Sequence, residues 1–158
     1  MAKTGATSSP VTPAQWGRRC RKITVPEHST QTGKKGMTGL VSAGYCSAVT
    51  GNIESLTGFY QNAPQTGASD GAKTASLYKA EEGVPFKATY LGTLSESVRG
   101  LRCNISVNSA GAIWLKYDSD SSSVGAARVE GWTSLWDIGD VNPEVIFTVR
   151  GGNIMQNV

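Results

Sequence analysis

Apolar and polar positions alternate with period two from Pro85 to Tyr90, with Phe86, Ala88 and Tyr90 on one side and Lys87 and Thr89 on the other. Successive side chains of an extended backbone point to opposite faces, so this stretch predicts a half-buried strand. The segments LVSAGYCSAVT and IESLTGFYQNA place apolar residues at every second or third position on either side of Gly51 and Asn52. RCNISVN and AIWLKYD flank Asn108 to Gly111 and predict a hairpin. ARVEGWTSL, a turn over Ile138 to Pro143, and EVIFTVRG close the pattern, and the run Val145 to Val149 predicts a central strand covered on both faces. No window of about twelve residues holds a helical period. Ser95 to Leu101 has room for one helical turn between Gly92 and Gly100, and the glycine-rich QTGASDGAKTAS and the stretch DSDSSSVG are loops. The pattern predicts an all-β fold, a compact barrel or sandwich, over residues 37 to 158.

Residues 1 to 36 follow a different rule. MAKTGATSSPVTPAQ has no apolar period, and its Gly, Ser, Thr and Pro content predicts a flexible leader. Lys3, Arg18, Arg19, Arg21, Lys22, Lys34 and Lys35 face a single acid, Glu27, giving about +6, while the remaining eight basic and eleven acidic residues make the body about −3. The overall +3 therefore conceals two parts of opposite sign. An extended basic arm over 1 to 36 is the expectation, disordered over about 10 to 36 until a partner orders it, because so few apolar residues cannot offset the ordering entropy. Within it Trp16, Arg18, Arg19, Arg21, Lys22, Ile23 and Val25 are the candidate partner-binding residues. The tryptophan would fill a pocket, the arginines would pair with carboxylates, and the β-like Ile23 to Val25 would add as a strand.

Candidate chemistry changes this picture little. Cys20, Cys46 and Cys103 lack CxxC spacing and a histidine cluster, so reduced structural thiols are expected and no cofactor or metal. His28 could serve a cysteine nucleophile as base, but a solvated arm holds no catalytic geometry. Asp118, Asp120 and the following serines open like a calcium loop, yet Ser123 and Val129 stand where such a loop needs Gly and Glu. Asp137 and Asp140 near Trp132 and Trp136 evoke a glycosidase pair, but Gly139 and Pro143 mark a turn in which Asp caps backbone. GKKGMTG lacks Walker spacing, and neither GxGxxG nor GxSxG occurs. The sequon at Asn104 has no consequence without secretion. No apolar run approaches a membrane span and no signal-peptide core opens the chain, so a soluble, non-enzymatic protein made in a cytoplasm is expected. RRCRK beside Trp16 suits nucleic acid, but the acidic body, whose aromatics are not interleaved with basic residues, argues against it.

The stretch from PFKATYLGTL through NSAGAIWL to VEGWTSLWDIGDVNPEVIFTVRG, about residues 84 to 152, resembles the small all-β decoration (cement) proteins of tailed-bacteriophage capsids. The resemblance implies a compact barrel on the capsid exterior, with an extended segment bridging neighbouring major capsid protein subunits. It also implies a structural virion protein, self-associating as a homo-oligomer on the shell and made in the host cytoplasm. It carries over no site residue, and the basic arm and three cysteines depart from it. A receptor- or carbohydrate-binding β module of a virion, or a nucleic-acid-binding protein acting through the arm, is the alternative.

Overall fold

The computed structural model describes residues 1 to 118 and 125 to 155, which form two antiparallel sheets facing each other. The strands are β1 (Thr12–Pro13), β2 (Lys22–Pro26), β3 (Thr38–Ser42), β4 (Tyr45–Ala48), β5 (Gly51–Asn52) and β6 (Gly58–Tyr60). They continue as β7 (Thr74–Lys79), β8 (Pro85–Thr89), β9 (Arg102–Val107), β10 (Ile113–Lys116), β11 (Ala127–Trp132) and β12 (Glu144–Val149). One sheet runs β1-β8-β12-β11-β9-β10 with β5 also on β9, and the other runs β2-β7-β6-β3-β4. The expected all-β class is observed. The arrangement is sandwich-like and does not close into a barrel.

The hairpin β9–β10 sits where the alternation placed it, with Leu115 opposite Ile105, and Asn108 Oδ1 accepts the amides of Ala110 and Ala112 in its turn. Glu96 to Val98 forms a short 3-10 turn where one helical turn had room between the two glycines, and Gly151–Asn153 forms another. LVSAGYCSAVT is itself a hairpin, β3–β4, turned by Ala43 and Gly44, both with positive φ (51° and 86°). Such a pair of left-handed residues matches the twist of the flanking strands.

β12 is central, paired with β8 on one side and β11 on the other. Val145, Phe147 and Val149 face inward, and Phe147 and Phe86 meet Phe59 of the opposite sheet. Ring centroids lie 4.8 Å apart for Phe59 and Phe86, and 6.0 Å for each pair with Phe147. This trio joins the two layers, in the tilted and edge-on geometries that aromatic quadrupoles favour.

The first 36 residues do not stand apart as an arm. Gly5 donates to Val141 O (2.8 Å), Ser9 and Thr89 hydroxyls are 3.0 Å apart, and Val11 is buried. β1 then pairs with β8, and Ala14 donates to Pro85 O (3.0 Å). After Trp16 the chain crosses to the other sheet, where β2 pairs with β7 along its whole length and Val25 enters the core. β7 and β8 are consecutive strands of different sheets, and each would present an open backbone edge without the N-terminal segment. Unpaired edges recruit a strand through main-chain hydrogen bonds, which depend little on the hydrophobicity of the recruited segment. That is why a polar stretch is structured here.

Candidate interaction surface

The N-terminal segment, a strap over residues 1 to 36 that pairs with both sheets, carries the candidate partner-binding residues. Trp16 lies at the crossing from one sheet to the other and remains 48% exposed. Its ring edge covers Gly131 in β11, where a Cβ would come within 3.1 Å of Trp16 Cη2. Ile146, on the outer side of β12, borders the clefts on both sides of this indole, which explains how an apolar residue on an outward face is only 5% exposed. The expectation of a strand covered on both faces is met at Ile146, and the cover comes from the polar segment.

Beyond Trp16, Arg18 donates through Nη1 to the Glu82 carbonyl (3.0 Å), and Arg21 Nε donates to Glu81 Oε2 (3.1 Å). The Arg21 guanidinium holds the Glu81 carboxyl below its usual range. Lys22 Nζ sits 5.7 Å from the centre of the Tyr78 ring, and Arg19 is exposed. Trp16 and these four cations are all exposed along one ordered segment of the strap, here called its ridge. Ile23 and Val25 do not join it. Val25 is 6% exposed and Ile23 is half-buried against the core, so both side chains hold β2 in place instead of offering themselves to a partner.

Cys46 and Cys103 are buried and Cys20 is half-buried, all as free thiols. Burial pushes Cys46 up to about 11 and Cys103 up to about 12, and burial followed by Glu81 pushes Cys20 up to about 11. A thiol so raised supplies almost no thiolate at neutral pH. The His28 ring faces Asp70 (3.3 Å) and the Tyr45 ring (5.3 Å between centroids).

Glu27, counted above as a solvated arm residue, is 1% exposed. Its Oε1 accepts the Gln65 amide (3.2 Å), and Oε2 has no hydrogen-bond partner among the described residues. Near it the Cys46 thiol donates to the Tyr60 hydroxyl (3.3 Å), and burial, then Cys46, raises the Tyr60 phenol. Nothing in the local sequence signals this burial. It follows from β2 ending against β4, where Glu27 and Cys46 form a parallel bridge.

Asp140 does what its turn context suggested. Its Oδ2 accepts the Asp137 amide and its Oδ1 the Lys3 amide, both at 2.8 Å, and these bonds hold the carboxyl below the usual range. Of the calcium-loop reading, Asp118 accepts from Asn104 Nδ2 (2.9 Å), while Asp120 and the serines lie outside the described residues. Asn104 is buried at 2% exposure, so a glycan on it is incompatible with this fold. Among the described residues no cluster of His, Cys, Asp and Glu could hold a metal, and no helix is long and apolar enough to cross a membrane. No family model matches the chain, and neither a curated protein nor a solved structure does.

Proposed function

We propose that this chain is a structural virion protein that decorates a tailed-phage capsid from outside, gripping major capsid protein subunits with the ridge of Trp16, Arg18, Arg19, Arg21 and Lys22. The observation that carries the reading is the half-exposed Trp16, held in one pose between two paired strands and flanked by arginines. Tryptophan and arginine dominate the energetics of protein interfaces, and an anchor already ordered loses less entropy when it docks. The attachment device is therefore a fixed ridge and not a free tether. A shell offers many equivalent subunits, so modest affinity per copy suffices for dense decoration. The raised thiols and the capping role of Asp140 accord with a module that binds and does not catalyse.

The test is the copy number of the chain in purified particles from its source. On the order of hundreds of copies per particle are expected of a protein spread over an array of shell subunits. A handful of copies, or a chain found only free, overturns the reading. Nucleic acid as the ridge's partner would show as affinity falling by orders of magnitude between low and moderate salt, through counterion release.

A further inference from the structure

The GKKG stretch over 33 to 36, which matches no nucleotide-binding spacing, lines a cavity of about 480 Å³. Segments distant in sequence meet there: the strap at Ser8 to Pro10, the GKKG turn, the chain just after β6, and the β9–β10 turn at Gly111 to Ile113. Hydrogen bonds fix the turn, with Met37 donating to Lys34 O (3.4 Å) and Gly36 to Tyr60 O (2.7 Å). A Cβ on Gly36, whose φ is 84°, would stand 2.5 Å from Pro10 Cα, and one on Gly111 would stand 2.7 Å from the Lys34 amide nitrogen. Only glycine lets these backbones approach so closely. The cavity is therefore formed before any ligand arrives, as small-molecule sites usually are.

Its chemistry is one-sided. The charged residues of the lining are Lys34 and Lys35, both exposed, and neither side chain has an ion-pair or hydrogen-bond partner among the described residues. Lys35 also borders the next cleft, but the acid there, Glu144, is taken by Lys87 (3.6 Å). The Lys34 and Lys35 amides, the Ser8 hydroxyl and the Asn62 side chain likewise make no hydrogen bond to a described residue. Donors are thus plentiful and no carboxylate lines the cavity, while Pro10, Ala112 and the buried Ile113 give it an apolar wall. A carboxylate brings one charge and two oxygens, whereas a phosphate monoester carries about −1.5 to −2 at pH 7 and presents three acceptor oxygens. Lysine ammonium groups and backbone amides at a tight turn are the groups that hold phosphate.

We propose that this cavity binds a phosphate monoester, Lys34 and Lys35 holding the phosphate while Pro10, Ala112 and Ile113 carry its organic body. No residue of the Trp16 ridge lines the cavity, and the site does not depend on the capsid reading: the ligand is measured on the isolated chain, copy number on particles.

The experiment is a titration of the isotopically labelled full chain at neutral pH and fixed ionic strength, followed by amide chemical shifts. Phenyl phosphate should shift the Lys34, Lys35, Gly111 and Ala112 amides saturably, and it should bind more tightly than inorganic phosphate, which has no body to rest on the apolar wall. Lys34→Ala with Lys35→Ala should weaken phenyl phosphate at least about tenfold, because the bonds lost are to charged groups. Asn62→Asp, which leaves both lysines in place and adds a carboxylate to the lining, should weaken it as well. Lys73→Ala, an exposed lysine outside the cavity, should change nothing, and melting curves check that every variant is folded. Acetate or inorganic phosphate binding as tightly as phenyl phosphate, an equal loss in Lys73→Ala, or shifts that never saturate would overturn the proposal. A DNA duplex that shifts Arg18 and Arg19 together with Lys34 and Lys35, where phenyl phosphate shifts nothing, would overturn it too, assigning these lysines to nucleic acid along the strap.

Discussion

The strap over residues 1 to 36 and the strand pair β11–β12 are built into the same sandwich from opposite compositions. β12 reads EVIFTV and buries Val145, Phe147 and Val149, so side-chain burial alone accounts for its place. The strap carries seven cations and few apolar residues, yet it is paired at β1 and β2 and contributes Val11, Ala14 and Val25 to the interior. The difference teaches that two forces place strands here. Burial recruits the centre of a sheet, and unsatisfied backbone recruits its edges. Apolar counting sees only the first.

The largest expected effect lies in the centre. Phe147→Ala would open a cavity between the aromatic rings of the two sheets and should cost about 3 to 5 kcal/mol in denaturant unfolding. A cost below about 1 kcal/mol would mean that the trio does not join the layers. In the strap, Val11→Ala removes a side chain that is 1% exposed, and the same measurement should give about 1 to 3 kcal/mol. A segment standing free of the body would give no change, so this pair of substitutions sets the two regions side by side.

A pH series sharpens the strap's second anchor. The Asp137 and Lys3 amides hold the Asp140 carboxyl below the ordinary carboxylate range. Its contribution is then complete above about pH 4 and is lost as pH falls through the lower folded value. Melting curves of the unaltered chain should fall more steeply on acidification than those of Asp140→Asn, the two converging in acid. Parallel curves would remove Asp140 from the link between loop and strap.

The smallest effect concerns the β3–β4 turn. Ala43 adopts φ of 51°, a region in which a Cβ is strained and Asn is tolerated. Ala43→Asn should stabilise the chain by up to about 1 kcal/mol, read as a raised melting temperature.

These residues also show how far the sequence could be read. β8 and the β9–β10 hairpin were legible from the alternation of their apolar residues, and β12 from its continuous apolar run. The β3–β4 hairpin was hidden by Ala43, which occupies a position where Asn or Gly would have announced the turn. ARVEGWTSL reads as strand to its end, but β11 stops at Trp132, after a bulge between Val129 and Gly131, and leaves Leu135 in solvent. Of the candidate site, Trp16 and the cations are exposed, whereas Ile23 and Val25 pack toward the interior. That distinction, like the burial of Glu27, depends on which strand edge the segment meets, and no local pattern encodes it.

Native-state hydrogen exchange of the isolated chain tests the central claim, that the N-terminal segment is part of the folded sandwich and presents its ridge without a partner. The amides of Ala14, Glu27 and His28 donate to Pro85, Lys73 and Cys46 carbonyls at 3.0, 2.9 and 3.0 Å. They should exchange orders of magnitude more slowly than an unstructured peptide, with protection approaching that of the β12 amides. Exchange of these three amides at the unstructured rate, with β12 still protected, would contradict the account and restore a free arm.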